Sequence, residues 1–463
     1  MLGHLQDATF DFTPAADEAD VIVVNTCGFI EAAKQESIDA ILQMARLKET
    51  GRLKKLIVSG CLVQRYASEL ADGIPEIDHL LGNGEYTTVA QLAGDAASQV
   101  GRVQVEDPTF LHDATSPRVN TFMPHSAYVK VAEGCDQKCT FCIIPALRGL
   151  QRSRSVDDVV REAQALADRG VVELNLIAQD LTGYGTDLSP RAALADLLVA
   201  LDAVDGLSWI RLHYAYPRPF SRALLDAIAH SDKVVPYIDM PLQHIADPVL
   251  KRMRRGRPRA YIEKLLDQIR GAVPDVTIRT SFIVGFPGET DAQFQELCDY
   301  VQNEDFERVG VFEYSLEEGT ASFDLDDRVP PEVIAERHHT LMELLRDKSR
   351  DKMASYVGRR LEVLVDGVSQ ETELLLDGRH AGQAPEIDGT TYINDTEGFD
   401  VAAGDLVEVE ISEAFDYDIV GAVTRMIRKA PARPEHARLE ASPTSSSRAS
   451  TLAAVGHRSL PVL

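Results

Sequence analysis

Long apolar runs are missing from this chain: none reaches the ~20 residues that a membrane span needs. Its first residues also lack the charged-then-apolar layout of a signal peptide. Basic residues are scarce. Lys and Arg number 47 against 73 Asp and Glu, a net charge of −26. A protein whose main task is gripping phosphate backbones usually shows a basic surface. Nucleic acid is therefore disfavoured as the main partner, and a basic protein is favoured. Cysteine is scarce too, with six in 463 residues. Five of the six stand where metal ligation makes sense, so a disulfide framework is the weaker reading and the reducing cytoplasm the expected compartment. What remains is ordinary for a soluble globular protein, 44% hydrophobic and 26% charged. The length suits roughly two to four domains.

The densest chemical signal is Cys135-Asp136-Gln137-Lys138-Cys139-Thr140-Phe141-Cys142, at the end of the β-branched run Ala127-Tyr-Val-Lys-Val. A closed tetrahedral metal site normally takes four ligands. A cubane iron–sulfur cluster held by three thiolates instead leaves one iron open to a further ligand. Spacing alone also leaves open a zinc knuckle completed by a distant His, or buried structural thiols. C-x-x-x-C-x-x-C with an aromatic before the last Cys resembles the signature of the radical S-adenosylmethionine (SAM) superfamily. In that superfamily the open iron is chelated by the amino and carboxylate groups of SAM.

Residues 1–100 read as a Rossmann-like α/β domain. Asp20-Val-Ile-Val-Val-Asn-Thr predicts a buried strand. After Cys27 and Gly28, the spacing of Ile30, Ala33, Ile38, Ile41, Leu42 and Ala45 predicts a helix from Phe29 to about Glu49. Lys55-Leu-Ile-Val-Ser-Gly is a second strand, followed by Cys61 and a helix from Leu62 to Ala71. Each Cys thus stands at the carboxyl end of a strand where a helix begins, the place where open α/β sheets bind ligands. One Cys at such a turn is more often packing, but two at equivalent turns favour a shared ligand. The spare, Cys298, lies in the amphipathic pattern Phe294-Gln-Glu-Leu-Cys-Asp-Tyr-Val and is read as a buried helix residue.

Asn25-Thr-Cys-Gly-Phe-Ile-Glu-Ala-Ala-Lys-Gln-Glu-Ser-Ile-Asp and Ser59-Gly-Cys-Leu resemble the methylthiotransferases, and within them the RimO type that modifies a ribosomal protein. In that family three Cys, one after each of three strands, hold a second 4Fe-4S cluster. Cys27 and Cys61 match two of them. The family pattern places a first strand and its Gly-Cys turn before Met1, and Met1-Leu-Gly-His-Leu resembles the helix after that turn. The expectation is a chain that starts about twenty residues late against the pattern, through a misplaced start codon or the loss of one ligand.

A connector with Pro108, Pro117 and Pro124 follows, and then strands and helices alternate, the mark of a parallel sheet with crossover helices. Strands are expected near 127–133, 171–178, 209–215, 234–240, 277–285 and 308–314. Residues 121–353 therefore read as a partial (β/α)6 barrel, open on one side. Ala178-Gln-Asp-Leu-Thr-Gly-Tyr-Gly, Arg211-Leu-His-Tyr-Ala-Tyr-Pro, Asp239-Met-Pro-Leu-Gln-His and Thr280-Ser-Phe-Ile-Val-Gly-Phe-Pro-Gly-Glu-Thr end four strands at the expected catalytic rim. All four resemble the family, although capping and tight turns would also explain each alone. They make Gln179, Arg211 and Gly285 candidate SAM contacts, together with Phe141, which is expected beside the adenine. Gly285 and Gly288 would let backbone approach a ligand, and the planar fork of Arg211 would suit the SAM carboxylate.

Residues 354–428 alternate in five short strands, a small β-barrel whose position resembles the TRAM domain. Acidic residues there outnumber basic ones by roughly three to one, which repels phosphate and attracts a basic protein. Gln383-Ala-Pro-Glu-Ile-Asp-Gly also resembles the RimO type. Residues 429–463 are expected to be a disordered tail.

The resemblance implies replacement of a hydrogen on the β-carbon of an aspartate in ribosomal protein S twelve by a methylthio group. It implies two 4Fe-4S clusters: one on Cys135, Cys139 and Cys142 that cleaves SAM, and an auxiliary one on Cys27, Cys61 and a missing third Cys. No catalytic residue beyond the cluster ligands is expected. The implied partners are the small ribosomal subunit and an electron donor such as flavodoxin or ferredoxin, with no membrane and no primary nucleic-acid substrate. A methylthiotransferase of a transfer-RNA adenosine shares every Cys and differs in the third module and in charge. An iron–sulfur protein that binds SAM without sulfur transfer, or a zinc-stabilised RNA-binding protein, are the rivals of another class.

Overall fold

The computed structural model describes residues 1–94, 101–431 and 451–455. Val21–Thr26 and Lys55–Gly60 are apolar runs with both faces covered, as strands of a parallel sheet under helices must be. They pair in parallel, from Val21 opposite Lys55 to Thr26 opposite Gly60. Ile22 and Val24 pack on the helix Glu31–Ala45, while Val21, Val23 and Ile57 face Leu5 and Leu92 on the other side. The full order across this sheet is Asp11–Phe12, Thr451–Val455, Val21–Thr26, Lys55–Gly60, His79–Leu81 and Val103–Gln104.

The second of these strands corrects the expectation of a structureless tail. Thr451–Val455 runs parallel to Val21–Thr26 with Leu452 opposite Val21. A short apolar run satisfies its own backbone by pairing with a sheet edge that would otherwise be unpaired. Residues 432–450 and 456–463, where the same expectation applied, lie outside the described residues.

The middle of the chain forms six parallel strands, Ser126–Lys130, Glu173–Ile177, Trp209–Leu212, Val234–Asp239, Thr277–Val284 and Arg308–Glu313. They lie side by side in chain order, and among the described residues the first does not pair with the sixth. The barrel is therefore open on one side. Because strand side chains alternate faces, Leu174, Leu176, Ile210, Leu212, Ile238 and Ile278 join the helices in the main core. Glu173, Asn175, Arg211, His213, Tyr237 and Asp239 fill the inside, buried but polar.

The helix Pro331–Ala354 leads into a closed barrel of five strands. Its second strand, Leu376–His380, begins after turns that Ser369 and Thr372 start by accepting from the N–H groups of Glu371 and Leu374. This module closes the amino-terminal end of the large barrel. Its Arg379 reaches Glu173, its Asp366 accepts from His125, and its Asp388 accepts from Tyr237. Among the described residues no helix is long and apolar enough to cross a membrane.

Candidate functional site

The three-cysteine loop leaves the first barrel strand through Gly134. Gly134 has φ +83°, and a Cβ there would overlap the carbonyl oxygen of Leu150, so the turn requires glycine. The loop is tied down from several elements. Cys135 N–H donates to the Gly149 carbonyl at 3.1 Å, Thr140 N–H to Met253 at 3.1 Å, and Ser322 N–H to Thr140 at 2.9 Å. Gln137 donates to Asp180 at 2.8 Å, and its N–H lies 3.4 Å from the Cys135 sulfur. Burial pushes the thiols of Cys135 and Cys142 up to about 11 and 12. Neither ionises readily by itself, and a bound metal is what makes such thiolates persist.

Of the candidate SAM contacts, Phe141 packs against the cluster of Ala246, Val249, Met253 and Phe286, which Ile283 and Tyr314 also border near the end of the fifth barrel strand. Gly285 lines a cavity of about 420 Å³ together with Tyr314 and Arg328, and its N–H donates to Glu289. Gln179 is brought to the loop as well. Its carbonyl oxygen accepts from Gly134 N–H at 2.8 Å and its amide donates to Glu133 at 3.1 Å, which orients the turn into Cys135.

Arg211 is elsewhere, and the expectation that it meets the SAM carboxylate is corrected. It is fully buried at the amino-terminal end of the barrel, donating to Glu173 at 3.3 Å and to the Ala381 carbonyl at 2.6 Å. The cause is strand phase: Arg211 pairs in register with Asn175, two residues along from Glu173 and on the same face, and its side chain reaches back to Glu173 and the third module. Above it, His213 faces Asn175 at 3.2 Å and is kept neutral by burial and the Arg211 charge, its pKa pulled down to about 3.

Cys27 and Cys61 come together because their turns cross. A Cβ on Gly28 would lie 2.8 Å from the Cys61 carbonyl group, and Ser37 brackets Cys27 by bonding both its N–H and its carbonyl at 3.1 Å. Burial raises the Cys27 thiol. Cys61 also packs on Ile143 and Leu147, just beyond Cys142. The two domains are pinned here by Glu317, whose carboxylate lies 3.1 Å from Lys34 and 2.9 Å from Arg65. Cys298 is buried in the helix Asp291–Asn303, as its spacing predicts.

All six described cysteines are free thiols. Among the described residues no three His, Cys, Asp or Glu side chains converge on a point fit for one ion. A cubane cluster asks for no such point, because each thiolate binds a different iron. The donors fit that group at Cys135, Cys139 and Cys142: three thiols and no oxygen or imidazole ligand, with N–H groups aimed at sulfur. At the amino-terminal site the described residues offer two thiols, with Arg148 3.3 Å from Cys61. Sequence reasoning missed Arg148 and Arg255, which touch Cys61 and Cys139, each at 3.3 Å. Nothing in the local pattern separates them from the many other arginines.

The comparisons agree with this geometry. The Radical SAM superfamily matches residues 129–301, the Uncharacterized protein family UPF0004 residues 1–82, and the TRAM domain residues 357–424. The Ribosomal protein uS12 methylthiotransferase RimO of Anaeromyxobacter sp. (strain Fw109-5) is 52% identical over 434 residues, covering 94% of this chain and 91% of that protein. The protein of the same name from Myxococcus xanthus (strain DK1622) is 50% identical over 443 residues, 96% of this chain and 91% of its own. Among solved structures, the radical S-adenosylmethionine methyltransferase TsrM from Kitasatospora setae, with cobalamin and [4Fe-4S] cluster bound, superposes with a TM-score of 0.50. It is 16% identical over 64% of each chain, a likeness of fold alone. The chain belongs to the RimO family of ribosomal protein uS12 methylthiotransferases.

Proposed function

We propose that this chain replaces a hydrogen on an aspartate β-carbon of ribosomal protein uS12 by a methylthio group, as a radical SAM transferase. The observation that carries the reading is the packing of Cys61 on Ile143 and Leu147. It sets the amino-terminal thiols against the segment leaving Cys142, so that two sulfur-ligated centres would face one chamber. Cys135, Cys139 and Cys142 would hold the 4Fe-4S cluster that binds SAM. Cys27 and Cys61 would supply two ligands of an auxiliary 4Fe-4S cluster whose third protein ligand is not among the described residues. When bound, these groups supply a carbon radical able to open a C–H bond without usable acidity, and the sulfur that replaces the hydrogen.

The chain's own part is to bind, orient and enclose. Gln179 and Gly134 set the direction of the thiol loop, and Phe141 with Ile283 offers an apolar wall for an adenine ring. Below them the third module seals the barrel, which keeps water from entering at that end. Exposed acids on that module, among them Glu373, Glu397 and Glu413, favour a basic partner and disfavour a transfer-RNA substrate. The working units are residues 1–100, 121–353 and 354–428. The reading places the chain in the cytoplasm, with the small ribosomal subunit as host of its substrate and a flavodoxin or ferredoxin as its donor.

The test is iron and sulfide per chain after anaerobic reconstitution, with mass spectrometry of uS12 incubated with the loaded protein, SAM and a reductant. About eight irons and a methylthio gain on one aspartate are expected. About four irons, with SAM cleaved and uS12 unchanged, would leave the second reading, SAM cleavage without sulfur transfer. That reading has one observation behind it: only two described thiols at the amino-terminal site.

A further inference from the structure

Arg255 is a buried cation without a carboxylate. It is 5% exposed, and among the described residues no Asp or Glu lies within ion-pair distance of it. Arg154, Arg211, Arg337 and Arg379 are buried alike, and each has one. Arg308, which also lacks one, contacts the sulfur of Met353 in the helix entering the third module. An isolated charge is expensive to keep out of water unless an anion is supplied. What Arg255 faces is Cys139, whose sulfur lies 3.3 Å from its Nη1, while Nη2 donates to the Pro241 carbonyl. Its Nε has no partner.

The placement is built into the backbone. The helix Asp247–Arg252 ends with Met253 N–H bonded to Val249 at 2.8 Å and Arg255 N–H to Leu250 at 3.0 Å. Between them Arg254 takes the left-handed conformation at φ +54°, the geometry that caps a helix carboxyl end. The cap turns the chain so that the guanidinium lies over the Tyr216 ring, 4.3 Å from its centre. Tyr216 then closes the clamp by donating its hydroxyl to the Arg255 carbonyl at 2.7 Å. A planar fork held on three sides has one direction left, toward the sulfur.

We infer that Arg255 is a positioning residue for the cluster thiolate of Cys139, and that its N–H raises the reduction potential of the centre on Cys135, Cys139 and Cys142. This rests on the reading that those three cysteines hold a 4Fe-4S cluster. On reduction one electron enters from a low-potential donor, and no proton or ligand is exchanged. The added negative charge is shared by the thiolate sulfurs, so a donor to sulfur stabilises the reduced form more than the oxidised one. Hydrogen bonds to sulfur are among the terms that set such potentials.

The experiment is an electron paramagnetic resonance redox titration of the full chain, reconstituted anaerobically with iron and sulfide. A Cys27→Ser background restricts the signal to the three-cysteine centre. Arg255→Met should shift the ratio of reduced to oxidised centre at fixed potential at least tenfold toward oxidised, 59 mV for a one-electron couple. Iron content and the far-ultraviolet circular dichroism should be unchanged. Arg148→Met removes the same charge from a helix that meets Cys61 rather than Cys139, and should shift the ratio less than about threefold, by the same conversion. An unmoved potential in Arg255→Met overturns the inference, and so does an equal shift in Arg148→Met, which would mean bulk charge rather than a directed N–H. Should Arg255→Met retain no iron, Arg255→Lys decides: a smaller shift in the same direction supports the inference and a wild-type potential overturns it. A parent protein that shows no four-iron signal sinks the cluster reading, and this inference with it.

Discussion

Replacing Glu173 by Gln should loosen the third module from the barrel before the barrel itself gives way. The carboxylate is fully buried and takes four contacts: Arg211 Nε at 3.3 Å, Arg379 Nη1 at 3.0 Å, Arg379 Nη2 at 2.9 Å and Ser126 Oγ at 2.8 Å. Arg379 keeps Asp366 as a second carboxylate, with both bonds 2.8 Å long, whereas among the described residues Arg211 has Glu173 alone. Burial pulls Arg211 below its ordinary value, and Glu173 is the charge that offsets this. Removing one partner of a buried pair costs about 3–5 kcal/mol, because it leaves the other charge uncompensated. With a urea dependence of about 2 kcal/mol/M, the urea midpoint for release of the module falls by about 2 M.

Pulse proteolysis of the full chain in urea, scored by cleavage near Ala354, reads this release without assuming that the whole protein unfolds in two states. Acid gives the complementary test. Burial opposes ionisation of Glu173, but Arg379 and Arg211 outweigh it and hold its carboxyl well below the ordinary range; Arg379 does the same for Asp366. Carboxyls depressed in the folded state stabilise fully above the unfolded value and lose that contribution as pH falls through the folded one. The parent should therefore release its module increasingly from about pH 4 downward, and Glu173→Gln should show a flatter acid limb. A midpoint shift under about 0.5 M, or an unchanged acid limb, would mean that water already serves these groups, and the argument fails.

Two further outcomes follow from the crossing turns and the domain contact. Gly28→Ala would put a methyl group 2.8 Å from the Cys61 carbonyl group. It should cost about 1–3 kcal/mol by overpacking and lower iron retention at the amino-terminal thiols, read as iron per chain; wild-type iron would refute the close approach. Glu317→Ala leaves Lys34 and Arg65 facing each other without the carboxylate that is 2% exposed between them. Removal of a buried counter-charge costs about 3–5 kcal/mol, so protease nicking in the connector 101–125 should accelerate, and an unchanged rate would show that apolar packing alone holds the domains.

The elements were largely legible because they are periodic. Five of the six barrel strands fall within the expected ranges and the first begins one residue earlier, at Ser126, since a buried parallel strand is a short apolar run and helical spacing follows it. The loop of Cys135, Cys139 and Cys142 stands out in the sequence because its spacing is local. Arg211 does not, because its partner Arg379 across Glu173 belongs to a strand far along the chain: Glu173 and Arg379 are 206 positions apart. The place of the segment Gln383–Gly389 was hidden in a similar way: it resembles the RimO type, and Gln383, Ala384 and Pro385 are buried against the base of the barrel. Arg255 is hidden for another reason: its run Arg252-Met-Arg-Arg-Gly-Arg is basic throughout, and only the left-handed turn at Arg254 selects which guanidinium goes inward.

The position of the third module constrains how it can serve catalysis. It meets the amino-terminal ends of the barrel strands, while all five candidate ligands lie at carboxyl ends. Glu173–Ile177 is five residues long, so at about 3.3 Å per step its two ends are ~13 Å apart. Acids on the module therefore cannot touch the reacting aspartate, and they act only on a partner large enough to reach the rim around the outside of the barrel. Replacing exposed Glu373, Glu397 and Glu413 together by Lys should raise KM for intact uS12 about tenfold at low salt, equivalent to about 1.4 kcal/mol. The effect should shrink as salt screens it. The kcat should stay level, and a short peptide carrying the target aspartate should be turned over as by the parent. Equal losses on peptide and intact protein would place these acids near the chemistry, which the separation of base and rim forbids.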